Sequence, residues 1–445
     1  MVSNWKSRII GVAPTKKETT GMNNSQTAFK LRSQLLKYLG IFSPHFSKPA
    51  LAFLGDMLYG IQASKDIKLS CIGRGLDEVI SLKKTEERLS RNLGCEGLAQ
   101  RVSDCLACEG ARHIGNDTLI VIDPTDIRKL YARKMPYLAK VRDGSSGEIG
   151  NGYHCGVAVA CESGGRSIVP LHLRLWSSTA PDFKSENDEI EQIVSTICAG
   201  AKRRGIYVVD RGGDRDKLFN VLIDRRLRFI VRLIGHRHLL WRKRPILAEK
   251  LVGKCRISHV ETIRRETAEG EKIYRIEYGA INVFLPEHPD KPLRMVVVKG
   301  FGAKPMMLLT DLAGGDSRKG LWQVIEGYLS RWRVEDAIRY IKQSYRLEDI
   351  RLMDYTRLRN MMAMLLATVF FASVWLGKSL RKSILVGNIT RVSKRLFGVV
   401  EFHYYAIADG IAALLRRFGK WHGAWNGPAR NTVSHQMELA LFDSG

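Results

Sequence analysis

The chain is poor in cysteine and shows no disulfide or zinc framework. It has 8 cysteines in 445 residues, too few for a disulfide-stapled fold. Cys105 and Cys108 form a CxxC pair close to Cys95 and His113, but no second pair follows at the spacing of a structural zinc site. We therefore expect reduced thiols, no zinc, and a cytoplasmic location.

Long apolar segments are also scarce. The N-terminus, MVSNWKSRIIGVAPTKKETTGM, lacks the apolar segment of a secretory signal. The run MMAMLLATVFFASVWL, 361–376, spans 16 residues between Arg359 and Lys378, short of the roughly 20 that cross a bilayer. We predict a buried core helix here and no membrane association.

Acidic residues are few relative to basic ones. Lys plus Arg number 71 against 45 Asp plus Glu, a net charge of +26, while the hydrophobic content of 45% is ordinary for a globular protein. This excess favours a polyanionic partner, most simply nucleic acid. The basic residues are spread along the chain, unlike the compact cluster of a membrane-surface anchor.

Both ends of the chain have helical patterns. Residues 1–27 are polar and predict a flexible tail. Apolar spacing in FKLRSQLLKYLGIF and LAFLGDMLYGIQ, with the basic SLKKTEERLSRNL, predicts a helical region over 28–112. We interpret it as a DNA-binding region, with a helical cap on the core as the alternative. Residues 351–445 are predicted to be helical, with a possible role in dimerisation.

The middle of the chain predicts a mixed α/β fold. DTLIVIDPTDI, YHCGVAVACES and RSIVPLHLRLW are each predicted to form a strand. A helix, a strand, a second helix and a further strand are predicted to follow. Together these elements form a first core segment over 113–235. The charged segment 236–304, with KIYRIEYGAINVFL and LRMVVVKGF, predicts a β-rich insertion. A second core segment, 305–350, begins with the strand PMMLLTD and continues into a helix at 321–343.

One face of that helix concentrates charge. Tyr328, Arg331, Glu335 and Lys342 fall within a stripe of about 60° on a helical wheel. The other side is apolar and is predicted to pack on the core: Val334, Ala337, Tyr340 and Ile341. A solvated face with ion pairs between successive turns is the plainer interpretation of the stripe.

Two further acids follow apolar strands. Asp123 ends LIVID and Asp210 ends YVVD, and sites form at such strand ends in α/β sheets. With Glu335 they make three carboxylates, here named the acid triad. Carboxylate oxygens suit Mg²⁺ or Mn²⁺, and three carboxylates match a two-ion phosphoryl-transfer site. Without a cation they would repel and raise one another's pKa.

Each strand-end acid has alternatives nearby. Asp126 could replace Asp123, which would then be a turn or cap residue before Pro124. Asp214 and Asp216 could replace Asp210, although Asp216 could also cap the next helix.

The spacing Tyr328-x2-Arg331-x3-Glu335-x6-Lys342 resembles the Tyr-Arg-Glu-Lys signature of bacterial insertion-sequence DDE transposases, the insertion-sequence-four group. The acids in VIDPTDI and VVDRGGD resemble that family's two Asp motifs, in the same order. The resemblance covers residues 80 to 380. It implies a ribonuclease-H-like catalytic core with a β-strand insertion before the Glu helix.

The resemblance also implies roles for individual residues. The acid triad would be catalytic and would bind two Mg²⁺ or Mn²⁺ ions. Tyr328, Arg331 and Lys342 would contact DNA phosphates near the transposon end. Arg232 in FIVRL resembles a phosphate-contacting arginine, and Trp332 also matches the family, with core packing as its alternative.

The sequence departs from the family at one position. Members that form a DNA hairpin carry a Trp just before an LLLT-like strand and use it to handle a flipped base. Here that place reads Met306-Met307-Leu308-Leu309-Thr310, which leaves hairpin formation open. Trp241, in the basic HRHLLWRKR, is a candidate substitute.

The resemblance implies a cut-and-paste transposase that cleaves transposon ends and joins the 3′-OH to target DNA. Its partner would be double-stranded DNA, bound as a homodimer on paired ends, in the bacterial nucleoid. A ribonuclease-H-like nuclease without strand transfer is one alternative. An inactive repressor that only binds the ends is the other.

Overall fold

The structure is a computed structural model that describes residues 23–129, 131–142, 144, 147–165, 167–267, 270–312, 314–377, 383–393, 404–418 and 421. The chain divides into two compact units. The α/β unit contains Leu106–Ile341, and the helical unit contains Met22–Cys105 together with Lys342–Gly445.

The described residues of both units contain α-helices. In chain order they are α1 Asn24–Leu39, α2 Lys48–Ser64, α3 Leu69–Leu76, α4 Leu82–Leu93, α5 Leu98–Ala111, α6 Glu186–Ala201, α7 Asp216–Asp224, α8 Ala248–Val252, α9 Arg318–Leu329, α10 Trp332–Ser344, α11 Tyr355–Phe370, α12 Ser383–Val392 and α13 Tyr404–Phe418.

The N-terminal helix starts earlier than the sequence pattern indicated. The Asn23 side chain accepts a hydrogen bond from the Gln26 amide (2.8 Å), and the Gln26 side chain accepts one from the Asn23 amide (3.1 Å). This reciprocal cap begins α1 at Asn24 and removes residues 24–27 from the predicted tail. Residues 1–22 of that tail lie outside the described residues, as does the end of the predicted C-terminal region, 422–445.

The long apolar run lies inside the helical unit. It forms α11 and a π-helical turn, Phe371–Leu376. By length and composition alone, Tyr355–Leu376 could cross a membrane, but 89% of its apolar window is buried inside the protein. The run is therefore buried, as predicted for a core helix.

The strands form a large mixed sheet in the α/β unit. They are β1 Leu119–Arg128, β2 Ala139–Arg142, β3 Ile149–Cys161, β4 Ile168–Trp176, β5 Ile206–Val209, β6 Arg228–Arg232, β7 His238–Trp241, β8 Arg244–Leu247, β9 His259–Thr267, β10 Gly270–Leu285, β11 His288–Lys299 and β12 Met306–Thr310. The order along the sheet is β2-β3-β1-β5-β6-β12-β11-β10-β7-β8, with β4 paired to β3 and β9 to β10.

The centre of this sheet is buried on both faces. β3 lies antiparallel to β1 and β4, while β5 lies parallel to β1 and β6. The first four residues of β1 and all of β5 are buried, as expected for parallel strands covered by helices. Helix α6 packs on β3 and β4, and α9 packs on β5, β6, β11 and β12. The predicted mixed α/β class, with a sheet flanked by helices, is confirmed.

Several strands were predicted and others were missed. PMMLLTD forms β12, which pairs with β6 and β11, and the two strand-like stretches in 236–304 form β10 and β11. The sequence analysis missed β2, β9 and the hairpin β7–β8. β2, β7 and β8 have four residues each, too few for a period-two pattern to stand out in a charged segment.

The predicted continuous helix at 321–343 is wrong, because the chain forms two helices, α9 and α10. The Ser330 hydroxyl donates to the Glu326 carbonyl (2.8 Å), a local bond that bends helices. At the junction the Arg331 amide bonds to the Tyr328 carbonyl, three residues back (3.0 Å), and Arg333 likewise bonds to Ser330. The wheel position predicted for Arg331 relative to Tyr328 therefore does not hold.

Candidate active site

Two acids lie at the same level on neighbouring parallel strands. In the pairing of β1 with β5, Ile122 is opposite Val209, and Asp123 and Asp210 follow directly. Adjacent strands are about 4.8 Å apart, so these two residues lie side by side just beyond the last β1–β5 pair. Asp123 continues in β1, whereas Asp210 begins a 3-10 turn, Arg211–Gly213.

Helix α9 brings a tyrosine to Asp210. The Tyr328 hydroxyl donates to Asp210 Oδ1 (2.8 Å), and Arg232 Nη1 of β6 donates to the Tyr328 oxygen (3.4 Å). Gly327 allows the helix to approach the sheet, because a Cβ there would lie 2.9 Å from Ile230 Cδ1. Burial, together with the Asp210 charge, raises the pKa of Tyr328 to about 12, so the hydroxyl keeps its proton and remains a donor.

Arg331 connects the other two acids. Its Nη1 donates to Asp123 Oδ2 (3.2 Å) and its Nη2 to Glu335 Oε1 (2.6 Å). The arginine side chain is 17% exposed, whereas Glu335 is 48% exposed. The guanidinium thus lies between Asp123 and Glu335, and the glutamate remains open to solvent.

The environment moves the pKa of Asp123 upward. Burial raises it to about 6; the Arg331 charge opposes this, and the charges of Asp210 and Glu335 add to it. The three carboxylates are therefore close enough to interact electrostatically. Near neutral pH a further positive charge would help to keep Asp123 ionised.

Asp210 has the opposite balance. Burial raises its pKa, but the Arg211 amide, the Tyr328 hydroxyl and the charges of Arg331 and Arg232 outweigh burial. Together they hold the pKa of Asp210 below its ordinary range. The pKa values of the neighbouring acids Asp123 and Asp210 are thus shifted in opposite directions, and hydrogen bonding as well as burial causes the difference.

The alternatives for the strand-end acids have other partners. Asp126 is three residues beyond Asp123 on an unbroken strand and so lies on its opposite face. Asp214 has no exposed side-chain surface and accepts from the Ile234 amide and Arg237 Nε, both at 2.6 Å. Asp216 opens α7 and pairs with Arg237. Asp214 and Asp216 therefore hold the chain in place, whereas Asp123 and Asp210 face the site.

The remaining predicted residues lie around or outside this cluster. Trp332 is 36% exposed, with the Arg333 guanidinium 4.1 Å from its ring centroid, so it is not a core residue. Lys342 belongs to the helical unit, where it pairs with Glu348 (3.2 Å). The plainer interpretation of the stripe, ion pairs between successive turns, predicted the Arg331–Glu335 bond, whereas the bond from Arg331 to Asp123 was not predicted.

The donor set suits a hard cation, but the side chains do not form a closed metal cage. Within the described residues, no three His, Cys, Asp or Glu side chains lie close enough together to hold a metal ion. Arg331 explains this separation, because it occupies oxygens of Asp123 and Glu335. The triad offers carboxylate oxygens only, the ligands that Mg²⁺ and Mn²⁺ prefer.

Among known proteins, the resemblance of this chain is to a solved structure and not to a family model or a curated relative. No protein-family model matches the sequence, and no curated protein matches it either. Among solved structures, the chain is similar to the piggyBac transposase in a cryo-EM synaptic complex with hairpin DNA, at 11% identity and a TM-score of 0.40. The match covers 81% of this chain and 77% of that one.

Proposed function

We propose that the protein is a DNA transposase of the DDE type, related to the insertion-sequence-four group. The observation that carries the proposal is the convergence of the acid triad. Asp123 and Asp210 directly follow the last residue pair of the parallel β1–β5 ladder, although β1 itself continues past Asp123, and Arg331 links Asp123 to Glu335 of α10. Segments far apart in sequence thus bring three carboxylates near one another, at the positions of the Tyr-Arg-Glu-Lys and Asp motifs.

The strand order supports a ribonuclease-H-like core. Strands β4, β3 and β1 are antiparallel neighbours, and β5 and β6 continue the sheet in parallel from β1. We assign these five strands to the catalytic core. The strands between residues 236 and 304 would be the insertion that separates the second acid from Glu335.

The triad would hold two Mg²⁺ or Mn²⁺ ions, which would activate the attacking oxygen and stabilise the leaving one during cleavage and strand transfer. Tyr328 would keep Asp210 ionised and oriented through its hydrogen bond of 2.8 Å. Arg331 would balance the charge of the acids and compete with the cations for the same oxygens. Tyr328, Arg331 and Arg232 would contact the DNA backbone near the reacting phosphate, and Lys342, in the helical unit, would be a further phosphate contact.

The charge of the chain supports DNA as the partner. A net charge of +26 far exceeds what solubility needs and matches a polyanion. The exposed face of Trp332 could stack on a base or sugar of the bound strand. We further propose a homodimer on paired transposon ends in the bacterial nucleoid.

A cleavage and joining assay tests the proposal. DNA carrying the ends of the element would be incubated with the protein and Mg²⁺ or Mn²⁺, alongside Glu335→Gln. Glu191→Gln is the matched control: Glu191 is 46% exposed and pairs with Arg225 much as Glu335 pairs with Arg331. We expect metal-dependent nicks and joined products from the wild type and the control, and a loss of at least about a thousandfold in Glu335→Gln.

The alternatives predict different products. Cleavage without joining would identify a nuclease. Tight end binding with no cleavage in either metal would leave only the repressor. Full activity of Glu335→Gln would remove Glu335 from the site.

A further inference from the structure

A basic hairpin forms the end of the strand order in the α/β unit, several strands away from β1 and β5, which carry Asp123 and precede Asp210. It consists of residues 238–247, with β7 and β8 joined by a turn, and α8 follows it. Residues 236–256 contain seven Lys or Arg and a single acid, Glu249. This segment is therefore a concentrated source of the chain's positive charge.

The turn of the hairpin has an uncommon composition. Trp241 and Arg244 form the last strand pair, so the turn contains only Arg242 and Lys243. Both have positive φ, +50° and +62°, which defines a type I′ turn. Asn-Gly is strongly preferred there, because most side chains strain the backbone at positive φ. Arg242 and Lys243 thus occupy two turn positions at which Asn and Gly would be more favourable for folding.

The tip presents its cations outward around an aromatic ring. Arg242 lies 4.4 Å and Lys254 5.3 Å from the Trp241 ring centroid, as measured from the charged groups. Arg242, Lys243, Arg244 and Lys254 are all exposed. Among the residues that the structure describes, no acid forms an ion pair with any of these four cations.

The base of the hairpin shows what a structural arginine looks like here. Arg237 is only 11% exposed and pairs with Asp214 (2.6 Å) and Asp216. Its charge holds the loop after β6 in place. The cations at the tip lack such partners among the described residues, so their charge is available to a ligand.

We propose that the tip of the basic hairpin binds the phosphate backbone of duplex DNA through Arg242, Lys243, Arg244 and Lys254. The contact would be independent of base sequence, because exposed Lys and Arg side chains recognise phosphates as charges. Trp241 would hold two of the cations in place through cation–π contacts. The inference rests on the proposed function for the identity of the partner, and it adds a surface distinct from the acid triad.

The turn chemistry provides a sharp test. The double variant Arg242→Asn with Lys243→Gly removes two cations and installs the preferred type I′ sequence, so folding should be unchanged or improved. Binding of a duplex of about 30 base pairs and arbitrary sequence would be measured from about 50 to 200 mM salt. We expect affinity to fall on the order of tenfold and the slope of log K against log salt to shrink by about two.

Two further variants complete the design. Lys202→Gln with Arg203→Gln removes the same charge from exposed residues that follow α6. This control should keep the wild-type slope. Arg244→Gln lies outside the turn and should reduce the slope by about one, which gives a second test should the turn variant fold poorly.

The possible results distinguish failure of this inference from failure of the proposed function. Wild-type affinity and slope in both hairpin variants would overturn the inference and leave the proposed function intact. An equal loss in the Lys202 and Arg203 control would also overturn it, because only total charge would then matter. Absence of duplex binding by the wild type would overturn the proposed function and this inference together.

Discussion

An arginine bridges two carboxylates in each of the two units, and the two bridges differ in how completely the acids are satisfied. In the helical unit, Arg88 bonds to Asp56 and to Glu78, both at 2.6 Å. The other oxygen of each acid is also occupied: the Trp421 indole donates to Asp56 (2.8 Å) and the Thr85 hydroxyl to Glu78 (2.7 Å). This is a closed structural network.

In the α/β unit the corresponding bridge is open. Arg331 contacts one oxygen of Asp123 and one of Glu335, and the described residues provide no other hydrogen bond to those two carboxylates. Here Arg331 and Asp123 are both largely buried, 17% and 20% exposed, and Glu335 is 48% exposed, whereas Asp56 is only 8% exposed. Asp210 adds a third negative charge beside the bridge.

This difference teaches which observations separate a structural acid from a candidate catalytic one. Burial raises the pKa of both Asp56 and Asp123, so a raised pKa does not distinguish them. An arginine bridge does not distinguish them either. Accessible carboxylate oxygens beside a third acid do, since a cation and a phosphate need free ligands and an entry path.

The largest expected effect comes from breaking the closed bridge. Arg88→Ala should lower the free energy of unfolding by about 3 kcal/mol, because it leaves a buried acid without its cation. Arg331→Ala should cost less, about 1 kcal/mol, because Glu335, one of its two acids, is 48% exposed to solvent. Urea unfolding followed by circular dichroism would measure both variants.

Added magnesium should affect the stability of the two arginine variants differently. Added Mg²⁺ should restore the stability of Arg331→Ala, whose carboxylates become available, and should have no effect on Arg88→Ala. Rescue of Arg88→Ala, or no rescue of Arg331→Ala, would contradict the distinction between closed and open bridges.

A smaller effect is expected from the tyrosine that supports the open site. Tyr328→Phe removes the donor to Asp210 and should slow DNA cleavage roughly tenfold, with a smaller change in DNA affinity. Tyr207→Phe is the matched control, because the Tyr207 hydroxyl is buried and has no hydrogen-bond partner among the residues that the structure describes. Its removal should leave the cleavage rate unaltered. Equal losses in the two variants would indicate a packing defect and not a positioning role for Tyr328.

The smallest effect concerns Asp123 in metal-free protein. Its folded pKa, about 6, lies above the reference value of 3.8, so the folded protein binds more protons than the unfolded chain between these values. Stability must therefore fall as pH rises through that window, and the loss persists above it. Asp123→Asn removes the penalty and should raise the midpoint of thermal unfolding at pH 8 by roughly 3 °C.

Measuring the same variant at pH 4, together with Asp117→Asn, provides the controls for that prediction. The gain should shrink towards zero at pH 4, where Asp123 is protonated in the folded protein. Asp117→Asn, at a side chain 79% exposed, should change the midpoint at neither pH. A lower midpoint for Asp123→Asn at pH 8 would show that its bond to Arg331 outweighs burial and repulsion.

Much of the α/β unit could be predicted from the sequence. The apolar runs ending at Asp123 and Asp210 identified β1 and β5, because buried parallel strands have continuous hydrophobic sequences. The break between α9 and α10 could not be predicted, since it depends on one hydroxyl, that of Ser330, bonding to its own helix. The β7–β8 hairpin was missed because its turn, Arg242-Lys243, carries none of the usual type I′ residues.

The sequence by itself determined the positive charge of the chain and the mixed α/β pattern, because these depend on composition and local periodicity, and it predicted the residues of the acid triad. Only the tertiary structure decided that Arg331 binds the acids, that Tyr328 donates to Asp210, and that Asp214 is structural. These contacts join residues up to 208 positions apart, Asp123 and Arg331 among them. Local pattern carries no information about pairing over such distances, which sheet register and helix packing set.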